Sequence, residues 1–399
     1  MANTVLPSEQ TLTFEYVEAV AERSIPKDGH NVHAGFTSPD GRIAFTRYFD
    51  SPYPKLEDNT LIRFGDDQAT AKEYSDALQT PGFIASGTLQ LNGYTFFESC
   101  ALPIDFATGN ALIGEPICWG GDFAHWYAKD HKLPDIIARM EEPSFRRQVA
   151  QILRGKSDIE QGIVLSQPGH EIYGHWLLDI VPKLNVLSRA DPGKIPIFCN
   201  SVPAWASYFL DCFEFDKSRL RKHPAQSFRL GQALIPTSSK SGYRLGAASL
   251  RDAWARISQI PSVPLPEGLA GAKVFFSRRK WKQSTRSSVF NIVELETLAE
   301  ARGYKIIAPE ELTIPQQITL VRDARILVGE DGSALHSIIF AETGARLGVI
   351  SLPDRANLWH YGICHILGHR LAYCYAQPED TPTVPAKTFN SFLDVLEQG

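Results

Sequence analysis

The sequence predicts a protein of the α/β class, with two domains built on doubly wound parallel sheets and an N-terminal α+β region. Strand-like and helix-like segments alternate from about residue 131 onwards, as they do in βαβ units. A proline-rich segment at 261–268 divides this alternation into two halves. The 399 residues, 43% of them hydrophobic and 21% charged, are enough for two or three soluble cores. The predicted boundaries are 1–130 for the N-terminal region, 131–262 and 263–380 for the two domains, and 381–399 for a C-terminal helix.

The N-terminal region contains short β-like runs rather than helical periods. These runs, at 42–47, 87–91 and 94–97, are separated by glycines, prolines and aromatic residues. Residues 1 to about 10 are predicted to be disordered, and Asp66 and Asp67 to lie in a solvated turn. The region contains no motif that indicates chemistry.

The first domain begins with a predicted helix at 145–153, with Ser144 as its N-cap. Strands follow at 162–166, 195–199 and 233–236, and helices at 203–213 and 247–260. Three prolines between 261 and 266 favour an extended connector, and two α/β domains joined in this way imply a cleft between them.

The second domain repeats the alternation more regularly. Its predicted strands are 273–277, 304–308, 325–329, 346–350 and 371–375, and its helices 291–301, 315–324, 333–342 and 361–368. In a doubly wound sheet, ligands are expected at the carboxyl ends of the strands. A last helix, at 388–396, is expected to pack back across the cleft.

The segment 167–184 is the first candidate for a functional site. A helix from Tyr173 places His175 and Asp179 one turn apart on one face, opposite an apolar stripe. This pair is expected at the exposed end of a buried helix, facing a ligand, although the same spacing is typical of a local surface pair. Pro182 is expected to bend the helix.

Two further clusters follow predicted strands of the second domain. Six cations and no acid lie between 273 and 286, which indicates either a solvated loop or a diphosphate clamp. The run from Gly329 to His336 joins a strand to a helix through small residues, and the start of that helix favours an anion. It matches neither a Walker loop nor a G-x-G-x-x-G fingerprint. Together the two clusters predict one phosphate-bearing ligand.

A metal site is the competing hypothesis. His360, Cys364, His365 and His369 lie close together in the sequence, and they leave open a metal-dependent hydrolase. No H-E-x-x-H motif accompanies them, so core or surface histidines are the plainer interpretation. A non-catalytic nucleotide- or sugar-binding module is the other alternative.

Composition narrows the classes of function and location. A net charge of −5 argues against a nucleic-acid-binding protein. No apolar run approaches the roughly 20 residues of a membrane-spanning helix, and no signal peptide is recognised. Six scattered cysteines indicate reduced thiols and a cytoplasmic location.

The segment Tyr-Gly-His-Trp-Leu-Leu-Asp-Ile-Val-Pro, at 173–182, resembles the HWLLDxLP block of glycosyltransferase family 61, also called DUF563 or capsular polysaccharide biosynthesis proteins. The resemblance covers about 160–352, and the chain is similar to bacterial members. Other matching positions, in order, are Phe276 to Arg279, Arg286, Asn291, Glu294, Gly303, Tyr304, Pro309 to Leu312, Gln317, Ala324, Gly329, Gly332 and Leu335.

This resemblance implies a GT-B-like fold, with two Rossmann-like domains facing a cleft. It also implies inverting transfer of a sugar from a nucleotide-sugar, a UDP-sugar in this prediction, to a glycan or lipid-linked saccharide of a surface polysaccharide. No cofactor or metal is expected. Homodimerisation and peripheral contact with the inner membrane stay open.

The residue clusters described above, taken together with this resemblance, predict roles for individual residues. Asp179 is the predicted base, with His175 orienting it, and the reverse assignment is left open. The predicted acceptor-side residues are His170, Tyr173, Gly174 and Trp176. The predicted donor-binding residues are Ser277, Arg278, Arg279, Lys282, Arg286, Gln317, Glu330, Asp331, Gly332, Ser333, Ala334 and His336.

Overall fold

The structure is a computed structural model, and it describes fifteen stretches of the chain. These are residues 13–16, 35–53, 61–64, 82–97, 102–105, 110–113, 159–166, 169–190, 193–199, 201–222, 228–241, 244–269, 273–280, 289–352 and 357–398. Several predictions lie outside them: disorder at 1–10, the turn at Asp66 and Asp67, the helix at 145–153 with its cap Ser144, and the contributions of Lys282 and Arg286.

The strands are numbered along the chain. They are β1 (Thr13–Tyr16), β2 (Gly35–Thr37), β3 (Ile43–Tyr53), β4 (Leu61–Phe64), β5 (Gly82–Asn92), β6 (Thr95–Phe97), β7 (Leu102–Asp105), β8 (Asn110–Ile113), β9 (Ile159–Val164), β10 (Ile197–Cys199), β11 (Leu220–Lys222), β12 (Phe228–Pro236), β13 (Lys240–Ser241) and β14 (Arg244–Leu245). They continue as β15 (Lys273–Phe276), β16 (Lys305–Ile307), β17 (Ile326–Glu330), β18 (Arg346–Ser351) and β19 (Arg370–Tyr375).

The α-helices are α1 (Val181–Ala190), α2 (Ser207–Cys212), α3 (Ala247–Ser258), α4 (Ile292–Ala301), α5 (Ile314–Asp323), α6 (Trp359–Leu367) and α7 (Ala386–Gln398). Their ends follow local chemistry. A capping box between Thr313 and Gln316 starts α5. Gly368, in the left-handed conformation, ends α6.

The chain divides into two compact units, and each is interrupted in sequence. Unit 1 comprises Met1–Pro52, Phe83–Gly242 and Gly246–Ala253, and unit 2 comprises Tyr53–Gly82, Tyr243–Leu245 and Trp254–Gly399. The α/β class is confirmed. The GT-B arrangement and the predicted domain boundaries stay predictions. The proline-rich segment lies in unit 2, where Val263 N–H donates to Thr319 Oγ1 of α5 at 3.0 Å.

Unit 1 contains a mixed sheet. Its main path through the described residues runs β1-β8-β7-β6-β12-β5-β3-β2. The other edge of β12 continues in parallel through β9, β10 and β11. In the order β11-β10-β9-β12, the chain passes from β9 to β10 and β11 on one side of β9, whereas β12 lies on its other side. The pair of β9 and β12 is therefore a topological switch point. The carboxyl ends of these two strands are therefore where a ligand is expected in unit 1.

Unit 2 contains a parallel sheet in the order β16-β15-β17-β18-β19-β4. The chain passes from β15 to β16 on one side of β15, whereas β17 lies on its other side, so a second switch point lies between β15 and β17. The final helix supplies Phe389, Phe392, Leu393 and Leu396 to the core of this unit. It packs closely on the sheet because Gly348 of β18 has no side chain; a Cβ there would lie 2.6 Å from Phe392 and Leu396.

Most predicted elements of the two α/β halves are confirmed within a few residues, but two helices differ in type. The helix predicted at 203–213 is present, although its first turn, Ala204–Ala206, is a 3-10 turn that α2 continues. The helix predicted at 333–342 is a 3-10 helix, Ser333–Phe340, rather than an α-helix. Its residues from Leu335 onwards are buried on every side, so tertiary packing overrides helical periodicity. No described helix has the length and apolar character to cross a membrane.

Candidate active site

A single helical segment, which starts shortly after β9, carries the central pair of unit 1. It begins as an α-turn at Tyr173–His175, widens to a π-helix at Trp176–Ile180 and continues as α1. Val181 N–H accordingly donates to the Trp176 carbonyl, five residues back. Pro182 has no N–H, and its ring would crowd the carbonyl of residue 178, so a widened turn just before it relieves both problems. The bend predicted at Pro182 stays a prediction.

The imidazole of His175 is hydrogen-bonded to Asp179. Nδ1 of His175 lies 2.7 Å from Oδ2 of Asp179, which assigns the Nδ1 proton to this bond. Gly169, with φ 78°, approaches the other side of the ring, and a Cβ at this position would lie 2.7 Å from His175 Cδ2. A glycine is therefore needed here both for its backbone conformation and for the close approach to the ring.

Asp179 is more deeply buried than the sequence predicts. Its side chain is 0% exposed, whereas an exposed pair was expected, and the reason is a second partner. Lys240 Nζ lies 2.8 Å from Asp179 Oδ1, and the lysine side chain is only 5% exposed. Burial alone raises the pKa of the Asp179 carboxyl, but Lys240 and the hydrogen bond from His175 outweigh burial and hold this pKa well below its ordinary value. Asp179 is therefore a carboxylate with both oxygens engaged.

The predicted acceptor-side residues fall into two groups. Trp176 and Gly174 are buried, and the Trp176 indole N–H donates to the His170 carbonyl at 2.6 Å, which supports the loop before the helix. His170 and Tyr173 are partly exposed. Tyr173 packs edge to face on Trp205, a half-buried residue that the sequence did not single out, at a ring separation of 5.8 Å.

The position of this group follows from the sheet. The loop with His170 follows β9, and Lys240 follows β12. These are the carboxyl ends of the two strands at the switch point of unit 1, where open α/β sheets bind ligands.

The switch point of unit 2 brings together Arg278 and the loop after β17. Arg278 follows β15, and its Nη1 donates to the Asp331 carbonyl at 2.8 Å. The guanidinium lies against Gly332, where a Cβ would be 3.4 Å from Nη1. The amides of Ser333 and Ala334 head the 3-10 helix, before its first hydrogen bond from Leu335 N–H to the Gly332 carbonyl. A planar cation and helix-start amides at one point suit an anionic group.

Asp331 is the centre of a polar group in this loop. Its Oδ1 lies 2.9 Å from Asn357 Nδ2 and 3.0 Å from His360 Nε2. Burial acts to raise the pKa of the Asp331 carboxyl, but the bond from His360 and the proximity of His336 lower it overall. His336 is buried and stacks edge to face on His360, with ring centroids 4.9 Å apart.

The other predicted donor residues that the structure describes have structural partners. Ser277 is buried and accepts from Arg279 N–H, while Arg279 Nε pairs with Glu296 at 2.6 Å. Glu330 is buried and accepts from Val289 N–H at 3.0 Å. Gln317 Nε2 donates to the carbonyls of Pro309 and Leu312, which holds the turn before α5.

The four residues of the alternative metal hypothesis do not form a site. Gly368 ends α6 before His369, so His365 and His369 do not share a helix face. His360 instead bonds to Asp331, and burial raises the pKa of the Cys364 thiol, which disfavours the thiolate that binds metals. Within the described stretches, no group of three or more His, Cys, Asp and Glu residues could hold a metal ion.

Sequence reasoning did not identify Lys240, Asn357 or Trp205. One signal was present for Lys240: the strand at 233–236 is followed by Thr237, Ser238 and Ser239, an unusual polar run at the end of an apolar strand. The side chains of these three residues and of Lys240 are buried. Asn357 and Trp205 carried no comparable signal.

The chain matches the model of a known protein family. Residues 173–348 match the family described as Glycosyltransferase 61, which confirms the family resemblance. The matched region contains the His175–Asp179 pair, Lys240 and the loop from Glu330 to Ala334. No curated protein matches the chain.

Proposed function

We propose that this glycosyltransferase of family 61 moves a sugar from a UDP-sugar to a hydroxyl of a glycan or glycolipid, with inversion and with no required metal, in the synthesis of a bacterial surface polysaccharide. Family membership supports sugar transfer in general. The observation that carries the rest is the location of two groups at sheet switch points: a His–carboxylate pair in unit 1 and an arginine with helix-start amides in unit 2.

In this proposal, His175 is the general base. Asp179 cannot easily take a proton, since its oxygens are engaged by His175 and Lys240 and its pKa is low. With the Nδ1 proton bonded to Asp179, Nε2 is the nitrogen that accepts the proton of the acceptor hydroxyl. Asp179 then orients the ring and stabilises the imidazolium. This is the reverse of the assignment that the sequence first suggested.

The donor diphosphate is assigned to Arg278 and to the amides of Ser333 and Ala334. During transfer the bond from the anomeric carbon to the diphosphate oxygen breaks and the bond to the acceptor oxygen forms. Negative charge grows on the departing diphosphate, where each preorganised donor is worth about 2.7–4 kcal/mol in the transition state. Attack from the face opposite the nucleotide inverts the anomeric centre.

The acceptor is assigned to the aromatic group beside His170. Tyr173 and Trp205 are half-buried, and each combines an apolar face with a polar atom, as sugar-binding surfaces require. Both belong to unit 1, as does the proposed base. A saccharide hydroxyl is therefore the acceptor class that these residues suit best.

The donor assignment is tested by calorimetric titration with UDP, GDP, CMP and ADP, with and without EDTA. UDP should bind with or without EDTA, and Arg278→Ala should weaken binding at least about 10-fold, as expected for one charge-assisted contact. Lys280→Ala is the matched control. It removes a cation two residues away that is exposed and paired with Glu311 at 2.6 Å. Equal loss in both variants, or binding of UDP only with a metal, would contradict the proposal.

The base assignment is tested by transfer assays with a panel of UDP-sugars. His175→Ala should lower turnover by about 100-fold or more while leaving UDP affinity unchanged. A protein that binds UDP but neither transfers nor hydrolyses any donor would instead be a binding module.

A further inference from the structure

A buried lysine completes the group around Asp179. Lys240 is 5% exposed and its ammonium lies 2.8 Å from Asp179 Oδ1, while His175 Nδ1 lies 2.7 Å from Oδ2. The three side chains therefore form a continuous chain, with Asp179 in the middle. A buried ammonium is costly unless it is paired, so this contact is expected to persist.

The backbone fixes the position of this lysine. Lys240 follows the end of β12, four residues after Pro236. Thr237 exchanges hydrogen bonds with the backbone of Gly87 in β5, and Ser239 contacts the Ser86 hydroxyl. The Ser239 carbonyl also accepts from Gly246 N–H at 2.7 Å. Lys240 is thus held by a neighbouring strand, independently of the helix that carries His175.

We infer that Lys240 is a positioning residue that sets the protonation state of the His175–Asp179 pair by holding Asp179 as a carboxylate and balancing its charge. With neutral His175, the three side chains carry no net charge. Without the ammonium, the same state carries one uncompensated negative charge, which is relieved when the pair takes up a proton. Lys240 therefore opposes the uptake of a proton by the pair. This inference rests on the role of His175 in the proposed function.

The size of the effect follows from the geometry. The two contacts place the ammonium on the order of 7 Å from the imidazole ring. At this distance, an effective dielectric constant of about 20 gives a shift of roughly one to two pH units. Because the two groups are coupled, the shift applies to the proton of the pair. The other titratable groups of segments 169–190 and 228–241 are the same in every variant compared; they are His170, Glu171, Tyr173, Lys183, Arg189 and Arg229.

The experiment is an NMR titration of the full chain with ¹³C-labelled histidine, with the His175 signal assigned by its loss in His175→Gln. Lys240→Met should raise the titration midpoint of His175 by roughly one to two units, and Lys240→Arg should leave it near the original value. The matched control is Arg42→Met. It removes the cation from another contact of unit 1, the 2.8 Å pair with Asp105, whose side chain is 2% exposed. This control should not move the His175 midpoint.

An unmoved midpoint in Lys240→Met would overturn the inference, and so would an equal shift in the control. If Lys240→Met does not fold, Lys240→Gln removes the same charge while keeping a polar side chain. An unmoved His175 midpoint in that variant, or an equal shift in the control, would likewise overturn the inference. In transfer assays, the acid limb of kcat/KM should move with the NMR midpoint. Retained transfer in His175→Gln would refute the proposed base, while the NMR shift would still test the ion pair.

Discussion

Replacing Asp179 with asparagine would leave the Lys240 ammonium buried without a counter-charge. The two side chains are 0% and 5% exposed, so water cannot compensate for the lost carboxylate. Removing one partner of a buried pair costs about 3–5 kcal/mol of unfolding free energy. The exposed pair of Lys217 and Asp211 has a similar separation, 2.7 Å, but its side chains are 40% and 61% exposed. Lys217→Met should therefore cost less than about 1 kcal/mol.

A double variant separates the cost of the unpaired Lys240 ammonium from the cost of the lost Asp179–His175 bond. Lys240→Met, combined with Asp179→Asn, removes the orphan charge, and uncharged replacements of a buried pair are often neutral in stability. The double variant should thus recover most of the loss. It should not recover turnover, because the neutral amide that replaces the carboxylate in both variants cannot stabilise an imidazolium at His175.

The assay is urea denaturation at pH 7, together with hydrogen exchange of peptides that cover 173–190. Exchange reports the opening of this helical segment even if the two units unfold separately. If Asp179→Asn costs no more than Lys217→Met, the buried ion pair does not stabilise the fold as reasoned. If the double variant is as unstable as Asp179→Asn, the cost comes instead from the lost bond to His175.

Three further predictions concern other residues. Gly169→Ala should lower turnover by more than 10-fold and cost about 1–2 kcal/mol of unfolding free energy, because alanine is strained at φ 78° and its Cβ would displace the His175 ring. A transfer assay measures the first effect and a urea melt the second. Normal turnover in this variant would contradict the role of Gly169. Burial lowers the pKa of His369 to about 4, so the native state resists its protonation, and the protein should lose up to about 3 kcal/mol as the pH falls from 6.5 to 4. Denaturation of His369→Gln across this range should show a shallower decline, and parallel curves would refute the assignment. Trp205→Ala should raise the KM for a saccharide acceptor several-fold with little change in UDP affinity, since the proposed role of Trp205 is confined to the acceptor; an equal loss of UDP affinity would refute it.

The buried strands of unit 2 were predictable because local sequence determines them. A parallel strand that is covered on both faces reads as a continuous apolar run, as in Val274 to Phe276 and Ile326 to Val328. The His175–Asp179 contact was predictable for a similar reason, because helical spacing alone brings the two side chains together. Their burial was not predictable, since it depends on a lysine 61 positions beyond Asp179 in the sequence.

The site of unit 2 was predicted at the level of segments rather than side chains. Clusters at two strand ends identified Arg278 and Asp331, because parallel strands bring their carboxyl ends to one edge. Periodicity could not reveal that Gln317 supports a turn or that His360 bonds to Asp331, since both contacts depend on packing. The 3-10 helix after Gly332 was missed for the same reason.

The edge strand β4 gives the chain an unusual problem during synthesis. Leu61 pairs with Leu371 in β19, about three hundred residues later, and the other strands of this sheet also come after β4 in the sequence. At ribosomal rates of about 5–20 residues per second, β4 waits roughly 15–60 seconds for its partner to be made. An unpaired strand edge is prone to aggregation during such a delay, and contacts this distant slow folding. We therefore expect the yield of folded full-length chain to depend strongly on temperature and chaperones. A fragment that begins at the proline-rich segment would lack β4, the edge strand of its sheet.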